Sequence, residues 1–530
     1  MISRSVFNSR YLRASLVLVI VAYMATYTIQ FAQEPKTNPD IDAALAKISA
    51  NSLRGHLSFI GSDLLEGRDT PSRGLDIAAE YIASQFRRAG LETAGDDGYF
   101  QTANWLVTGR DAESFELKLS DGTQAVAFGP NQVSVTSDTQ LNLNNAGIYK
   151  FDYKDAAALA GLNAESIQGE AIITELPDIR SVDRSRRQEM MQAQNAFLGK
   201  MSELKAAMIL SVDRANATGS GISSNRLIDP ENRQGGNRPG ANTNAVLTLT
   251  IHGQKAAQFY DSLKTGAGAA NISMKLPAAI EKPVKIRNVI GLLRGSDPVL
   301  KDTYVLVTGH YDHLGMRATG EGDRIYNGAN DDGSGTVSVV ELALALSTLK
   351  ERPKRSLVFM TVFGEEKGLR GSRYYGKHPV FPIEKTIADV NLEQVGRTDS
   401  TEGPQINNAS MTGFDFTDVG PIFQAAGKLT GINVYKHDRN SDAYFGRSDN
   451  QALADQGVPA HTICVAFDYP DYHGLGDHWE KVDYANMEKV DRMVGLGLWM
   501  IANNPKEPQW NTANPKTQKY VEAWKQHHGG

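Results

Sequence analysis

Histidines and carboxylates follow directly after apolar segments that have the composition of buried β-strands. The segment TYVLVTG is followed by His310 and Asp312, SLVFMTVFG by Glu365 and Glu366, and TIADVNL by Glu393. Near-continuous apolar runs rich in β-branched residues are typical of strands that are covered on both faces of a sheet. The pattern therefore predicts that these five side chains emerge at strand ends.

A fourth strand and a loop add further groups to this set. The segment AHTICVAF is followed, after a short acidic loop, by His473. A loop between the first two strands carries Asn330, Asp331 and Asp332 into a Gly-Ser-Gly turn, after which a helix begins. Because the carboxyl ends of parallel strands lie at one edge of a sheet, we expect all of these side chains to lie close together.

An edge that collects two imidazoles and several carboxylates, without a matching number of Lys or Arg, is electrostatically costly unless cations bind there. Oxygen and imidazole ligands without a thiolate favour Zn²⁺, with Mn²⁺ or Co²⁺ as substitutes. The sequence therefore predicts a divalent metal site at this edge of the sheet.

The run NDDGSGTVSVVE, which begins at Asn330, also resembles a calcium-binding loop. Its oxygen-bearing residues stand at positions 1, 3 and 5, with Gly at 6 and Glu341 at 12. Position 1 is Asn rather than Asp, however, and no amphipathic helix pattern precedes the run. The EF-hand interpretation is therefore disfavoured.

Helical patterns such as TVSVVELALALSTL alternate with the four strands. This alternation predicts an α/β fold with a mostly parallel central sheet flanked by helices. Upstream, the segments beginning IDAALAKIS and GLDIAAEYI each place apolar residues three and four apart and predict amphipathic helices. The region between them and the sheet contains short β-rich pieces (FELKLS, EAIITEL, AAMILSV, NAVLTLTIHG) and resembles an inserted domain, with Asp213–Asn244 predicted as an exposed loop.

These patterns divide the chain into five parts. They are a signal peptide or N-terminal anchor (1–33), an N-terminal helical part (41–105), an inserted β-rich domain (106–280), the domain with the metal-site residues (281–505) and a polar C-terminal tail (506–530).

Composition excludes several classes of protein. The chain is 41% hydrophobic and 22% charged, which is ordinary for a globular protein. Its net charge of −6 is spread without a basic stripe, so a nucleic-acid partner has no electrostatic support. Cys464 is the only cysteine, so no intrachain disulfide forms, and its place in an apolar strand favours a buried residue over a nucleophile.

The N-terminal segment has the features of an export signal. Arg4, Arg10 and Arg13 precede an apolar run from Ala14 to Ala25. Such a run spans about 18 Å as a helix, which is shorter than a bilayer core of ~30 Å. We expect a periplasmic or extracellular protein, with a membrane tether through this segment as the alternative.

Five strings resemble, in order, the successive metal-site motifs of the M28 family of zinc metallopeptidases: GHYDHLG, NGANDDGSGT, FGEEKGLRGS, NLEQVGR and DYHGLGD. The segment LEGRDTPSRGLDIAAEYIASQFRRAGL is similar to the N-terminal segment of that family. The strings IQGEAIITELPD and KMSELKAAMILSV resemble an inserted protease-associated domain. The resemblance covers about residues 45 to 500 and implies a zinc exopeptidase-like sandwich.

The resemblance implies roles for the residues above. Two zinc ions are implied, with Asp331 bridging them. His310 and Glu393 are then the ligands of one ion, and Glu366 and His473 are the ligands of the other. Glu365 takes the position of the general base, and Asp312 that of a carboxylate that orients His310. Asp477 is similar to a supporting carboxylate, whereas His313 and His478 are expected to be bystanders.

The sequence departs from the family at two positions. Many members have Asp where Glu393 stands, and the longer side chain shifts either the metal or the strand by about one methylene. Asn450 occupies a place that is often His in relatives, and we assign it no ligand role.

The resemblance implies an exported aminopeptidase that hydrolyses peptide substrates, with the insert forming a roof over the metal cleft. Three alternatives share the fold: a single-metal acyl-transfer enzyme similar to glutaminyl cyclases, a carboxypeptidase, and a catalytically inactive binding module. The presence of all five ligand residues argues against the single-metal and inactive alternatives.

Overall fold

A computed structural model of the chain describes residues 38–135, 137–177, 184–223, 225–232, 246–317 and 322–529. The predicted signal or anchor segment, 1–33, lies outside these residues. None of the helices in the described ranges combines the length and the apolarity that crossing a membrane requires.

The described residues form strands at the following positions: β1 (Glu92–Thr93), β2 (Phe100–Gly109), β3 (Glu116–Ser120), β4 (Ala125–Ala127), β5 (Val133–Val135), β6 (Leu141–Lys150), β7 (Ala171–Thr174), β8 (Met208–Asp213), β9 (Leu227–Ile228), β10 (Thr248–His252), β11 (Gly266–Leu276), β12 (Ile280–Leu293), β13 (Tyr304–His310), β14 (Gly315–Met316), β15 (Ile325–Tyr326), β16 (Ser356–Val362), β17 (Thr386–Leu392), β18 (Asn408–Met411), β19 (Asn433–Tyr435) and β20 (Ala460–Cys464).

The helices of the same residues are α1 (Pro39–Leu45), α2 (Ala50–Ile60), α3 (Arg73–Arg88), α4 (Ala156–Gly161), α5 (Ala164–Ile167), α6 (Arg184–Glu203), α7 (Gln254–Ser262), α8 (Gly335–Leu346), α9 (Arg370–Lys377), α10 (Val419–Thr430), α11 (Asn440–Ala443), α12 (Asn450–Ala454), α13 (Tyr484–Asn503) and α14 (Gln518–His528).

The four strands predicted from apolar runs lie side by side at the centre of the larger sheet. The strand order is β19-β18-β20-β17-β13-β16-β12-β2-β9, with β1 beside β12. Strands β20, β17, β13 and β16 are mutually parallel, whereas β12, β2 and β9 continue the sheet in antiparallel pairs. The predicted α/β class is confirmed, and the parallel part of the mixed sheet is the part that carries the candidate residues.

Both faces of this sheet are covered, as the apolar runs predict. Val305 and Val307 of β13 belong to an apolar core on one face, and Leu306 belongs to the core on the other. The first core contains α2, α3, α8 and α13, and the second contains parts of α9, α12 and α14. Alternating side chains of one buried strand therefore serve two different cores.

Two predictions about the upstream elements need correction. The pattern IDAALAKISANSLRGHLSFI is divided into α1 and α2, because the Ser49 side chain accepts a hydrogen bond from the Ser52 amide (3.2 Å) and starts a new helix. The stretch Asp213–Asn244, predicted as an exposed loop, contains β9, whose Leu227 and Ile228 are buried against β2. Residues 224 and 233–244 of that stretch lie outside the described residues.

The middle of the chain forms a second sheet with its own apolar core. Its strand order is β4-β3-β11-β6-β7-β8-β10-β5, and side chains such as Leu119, Leu210 and Ile272 are fully buried in it. All four β-rich pieces predicted in this region lie on these strands. The chain leaves the larger sheet after β2, returns to it briefly at β9 and again at β12, so the strands of the second sheet come from the segments between two neighbouring antiparallel strands.

His461 on β20 provides a test of the buried core. Its Nδ1 lies 2.8 Å from the Thr412 carbonyl oxygen, and its Nε2 lies 2.6 Å from the Thr417 hydroxyl. A carbonyl only accepts, so Nδ1 donates and the neutral ring is satisfied at both nitrogens. Burial lowers the pKa of His461 to about 4.

We expect the stability of the fold to decrease as the pH falls from about 6.5 towards 4, because the unfolded chain takes up a proton that folded His461 refuses. The slope from this one group is at most about 1.4 kcal/mol per pH unit. Urea unfolding of the wild type and of His461→Gln across this range, with chelator present, isolates the contribution. Equal slopes in the two proteins would contradict the assignment.

Candidate metal centre

The candidate residues meet because four parallel strands end at the same edge of the larger sheet. His310 is the last residue of β13 and is paired in register with Val362, the last residue of β16. Glu365 and Glu366 follow β16, and Glu393 follows β17, so a turn of a few residues is enough to bring each one to the edge.

One cluster consists of His310, Asp331 and Glu393, whose ligand atoms all lie within 4.8 Å of one another. His310 Nε2 lies 3.4 Å from Asp331 Oδ1. His310 and Asp331 are almost fully buried, and Glu393 is partly exposed towards a cavity. This is the ligand set predicted for one metal ion.

A second cluster lies on the other side of Asp331. His473 Nε2 lies 3.0 Å from Asp331 Oδ2 and 3.3 Å from Glu366 Oε2. The two carboxylate oxygens of Asp331 therefore face different histidines, which is the geometry of a bridging carboxylate. The structure thus brings all five predicted ligand residues together.

His313 lies in the second cluster as well, although the family resemblance implies that it is a bystander. Its ligand atom and those of Asp331 and Glu366 lie within 4.8 Å of one another, and its Nδ1 is 2.8 Å from Glu366 Oε1. His478, the other expected bystander, lies apart from the cluster and its Nε2 is 3.5 Å from Asp323 Oδ2. His310 and His313 are three residues apart in the HYDH string, but this spacing alone does not show which way the His313 ring points.

The buried polar atoms of the two clusters fit a cation. Within the part of the chain that the structure describes, several of these atoms have no hydrogen-bond partner: His310 Nε2, Nδ1 and Nε2 of His313, Asp331 Oδ2 and Glu366 Oε1. Burying such atoms unpaired costs on the order of 1–3 kcal/mol each. A divalent cation at each cluster would satisfy the carboxylate oxygens, His310 Nε2 and one ring nitrogen of His313, and the imidazole and carboxylate donors suit zinc.

The pKa values show how strongly the charges interact. Burial by itself would raise the pKa of Asp331, but contacts with His310 and His473 hold it below its ordinary value. Burial opposes charge on His473 too, yet Asp331 and Glu366 raise its pKa to about 10. Protons on the histidines and a metal ion are therefore alternative ways of balancing the same carboxylates.

Glu365 is partly buried beside these clusters and lines the cavity with Glu366 and Glu393. Burial raises the pKa of Glu365 well above its ordinary range, and the neighbouring carboxylates add to the effect. A carboxyl group with a raised pKa is suited to both accepting and returning a proton near neutral pH.

Asp312 connects two of the strand ends. Its Oδ1 accepts a hydrogen bond from the Glu365 amide (3.1 Å) and lies 3.5 Å from His310 Nδ1. The Asp312 carbonyl oxygen is nearer to the same ring nitrogen, at 3.2 Å. Asp312 therefore holds the start of the Glu365 segment and faces the histidine that it is predicted to orient.

Arg68 supports the metal centre by binding backbone carbonyls, a role that no local pattern in the sequence indicates. Its guanidinium is fully buried and donates to the carbonyl oxygens of Ile60 (2.6 Å), Tyr311 (2.8 Å), Asn327 (2.6 Å) and Gly328 (2.8 Å). The carbonyls of Tyr311, Asn327 and Gly328 belong to the segments that carry His310 and Asp331, and that of Ile60 ends α2. Burial lowers the pKa of Arg68 to about 10, so it stays charged, and nearby carboxylates oppose the effect.

Asp477, predicted as a supporting carboxylate, holds the same loop from its amide side. Asp477 Oδ2 accepts from the amides of Asn330 (3.0 Å) and Asp331 (3.1 Å) and from the Tyr469 hydroxyl (2.9 Å). The Arg68 guanidinium thus holds the carbonyls that precede Asp331, and the Asp477 carboxylate holds the backbone amides of Asn330 and Asp331.

The cavity over the clusters has a volume of about 1190 Å³. Its lining includes Asp331, Glu365, Glu366 and Glu393, together with Leu227 of β9, Arg226 next to that strand, and Tyr444, Arg447, Phe467 and Tyr472. A segment from the long stretch between β2 and β12, which we call the second region, therefore forms part of the cavity wall.

The surroundings of Cys464 and Asn450 fit structural roles rather than catalysis or metal binding. Cys464 is buried and lines the cavity, but burial raises the pKa of its thiol well above the ordinary value, which disfavours a thiolate. The Asn450 amide donates to the Phe445 carbonyl (3.0 Å), and its oxygen accepts from the Thr462 hydroxyl (2.9 Å).

Replacement of Arg68 by Met tests its supporting role. We expect a loss of about 3–5 kcal/mol of unfolding free energy, because four buried carbonyls lose a charged donor. Chemical denaturation of the metal-free protein measures the effect. The control is Arg88→Met, which removes an exposed arginine at the end of α3. An Arg68→Met protein as stable as the wild type would show that other groups hold the loop.

The sequence model of Peptidase family M28 matches residues 288–496. A probable zinc metalloprotease of Leptosphaeria maculans is 42% identical over 268 residues, which are 43% of this chain and 60% of the relative. One of Pyrenophora tritici-repentis is 34% identical over 296 residues, which are 48% of this chain and 67% of the relative. The chain spans only 58% of a third such relative, from Pyrenophora teres f. teres.

Two solved structures resemble the whole architecture. An aminopeptidase from Aneurinibacillus sp. strain AM-1 has a TM-score of 0.50 at 20% identity, covering 88% of this chain and 97% of its own. A zinc aminopeptidase from Bacillus subtilis has a TM-score of 0.52 at 16% identity, covering 85% and 94%. At these identities, the likeness shows a shared fold.

Proposed function

Since the chain belongs to peptidase family M28, we propose that it is a dinuclear zinc peptidase that releases residues from the N-terminus of peptides. The observation that carries the proposal is the pair of ligand clusters that share Asp331. The relatives named as zinc metalloproteases and the solved aminopeptidases support it.

His310, Asp331 and Glu393 would hold one zinc ion, and Asp331, Glu366 and His473 would hold the other. Zinc, when bound, supplies a Lewis acid and lowers the pKa of water from 15.7 to about 7. Glu393 reaches its cluster despite being longer than the Asp of many relatives, and burial raises its pKa to about 7. The carboxylate therefore benefits from a cation beside it.

Glu365 is proposed as the general base. Its raised pKa and its place in the cavity lining allow it to take a proton from the attacking water and to return it to the leaving amine. Asp312, through the Glu365 amide and the His310 ring, positions the base and one ligand relative to each other.

The lining of the cavity contains cationic side chains as well as carboxylates. Lys367 is paired with Asp69 (2.8 Å) and Arg226 with Asp138, and Arg370 and Arg447 line the same cavity. Such groups suit the carbonyls of a bound peptide. The proposed release of N-terminal residues is supported by the solved aminopeptidases that share the fold.

The sheet between β2 and β12 is proposed to be an inserted protease-associated domain. It contributes β9 to the edge of the larger sheet, and Arg226 and Leu227 to the cavity wall. Its place supports a role in limiting access to chain ends. Export is a further proposal, which depends on the N-terminal segment from Arg4 to Ala25.

We expect Glu365→Gln to keep two zinc ions while kcat falls by about 10²–10⁴-fold, because an amide accepts no proton. Metal analysis after dialysis and initial-rate kinetics measure the two effects. Asp331→Asn is the comparison, since loss of the bridging charge should reduce metal content itself. Loss of zinc from Glu365→Gln would contradict its assignment as base, and full zinc content in Asp331→Asn would contradict the bridge.

Substrate direction is tested with matched peptides that have free or acetylated N-termini and free or amidated C-termini. We expect acetylation to abolish cleavage and amidation to have a much smaller effect, and mass spectrometry to show products shortened from the N-terminus. Cleavage of acetylated peptides from the C-terminus would favour the carboxypeptidase. Cyclisation of N-terminal glutamine without cleavage would favour acyl transfer.

A further inference from the structure

His313 is held rigidly against the metal centre. Its side chain is fully buried, and its amide donates to the Arg68 carbonyl oxygen (3.2 Å). The ring packs against Gly328, where a Cβ atom would lie only 2.4 Å from His313 Cγ. Only glycine at position 328 therefore leaves room for the His313 ring where it lies.

The surroundings of the ring do not satisfy it. Neither ring nitrogen of His313 has a hydrogen-bond partner among the residues that the structure describes, and the same holds for Glu366 Oε1. Nδ1 and Oε1 are 2.8 Å apart, which is ion-pair distance when the ring carries a proton, so a proton and a metal ion are alternative ways of balancing this pair. On the cavity side, the His473 ring lies 5.8 Å away between centroids, with the ring planes at 72°.

The spacing of these atoms matches a coordination shell. Ligands placed tetrahedrally about 2.1 Å from one zinc ion are about 3.4 Å from one another. The separations around the second cluster are 2.8 Å for His313 to Glu366, 3.0 Å for His473 to Asp331 and 3.3 Å for His473 to Glu366. His313 contacts Glu366 through Oε1 and His473 contacts it through Oε2, and the ligand atoms of His313, Asp331 and Glu366 all lie within 4.8 Å of one another. These separations are in the range that ligands of a single ion have.

We propose that His313 is a fourth protein ligand of the metal ion held by Asp331, Glu366 and His473. The assignment rests on the proposed function only in requiring that the centre binds metal. It makes the two ions unequal. The ion near His313 has four protein ligands, two of them imidazoles. The ion at His310, Asp331 and Glu393 has three protein ligands, one of them an imidazole. Because a site with three protein ligands keeps an open position, the ion near His313 is the more tightly held and the other is the one that substrate reaches more readily.

Metal titration of the full chain tests the assignment without reference to activity. Metal-free wild type, His313→Ala and His313→Gln are titrated with Zn²⁺ against a chromophoric chelator. We expect two binding events in the wild type. In the variants the tighter event should weaken by more than about 100-fold, which exceeds the 10–100-fold loss typical of a group that acts through another ligand. The other event should change much less.

Co²⁺ at one equivalent gives a second readout. We expect the visible absorption spectrum of the His313 variants to differ from that of the wild type, because one imidazole is missing from the ion. His478→Ala is the matched control, since His478 lies outside the cluster and should leave both the titration and the spectrum unchanged.

Three results would overturn the proposal: a loss of 100-fold or less at the tighter site, an equal loss at both sites, or an unchanged cobalt spectrum. The Gln variant retains a polar side chain and is used where the Ala variant has a lower unfolding midpoint. Failure of the fully loaded wild type to cleave any peptide would refute the proposed function alone. Failure of the titration to single out His313 would refute this assignment alone.

Discussion

Repulsion among buried carboxylates is the constraint on which the rest of the structure depends. Asp331, Glu366 and Glu393 lie at one edge of the sheet, and Glu365 is partly buried beside them. Without partners, their charges would drive the strand ends apart or would be lost to protonation. Imidazoles, a buried arginine and backbone amides each remove part of this cost, and the unpaired atoms that remain point towards positions for divalent cations.

The loop that carries Asp331 shows how the fold resolves this cost. Arg68 binds the carbonyls that precede the loop, and Asp477 binds its amides. Asp332, the next residue, accepts hydrogen bonds from the amides of Gly335 (3.0 Å) and Gln394 (3.1 Å), which ties the start of α8 to the end of β17. The Asp331 carboxylate is therefore fixed by contacts with several elements, and its geometry does not depend on its own short segment alone.

The second sheet has a functional connection to the first. β9 pairs with β2 at the edge of the larger sheet, and Arg226 beside it forms an ion pair with Asp138 of the second region. The same short strand brings Leu227 to the cavity. The long excursion between β2 and β12 thus returns to the cavity, and the Arg226–Asp138 ion pair links the cavity lining to the second region.

The sequence by itself determined which side chains end the central strands. Apolar β-branched runs are local signals, and each of His310, Glu366 and Glu393 stands within four residues of such a run. Parallel strands then leave one edge at which these residues meet, so the convergence of these three predicted ligand residues followed from pattern and topology. The predicted α/β class followed for the same reason.

Only the tertiary structure decided the positions of His313, Arg68 and β9. His313 depends on the ring orientation that Gly328 permits, and Arg68 depends on a turn in which its own φ is 51°. Neither property has a periodic signal in sequence. β9 is two residues long and gains its place from pairing with a strand more than a hundred residues earlier. Such contacts are determined by packing between distant segments, which local spacing along the chain does not encode.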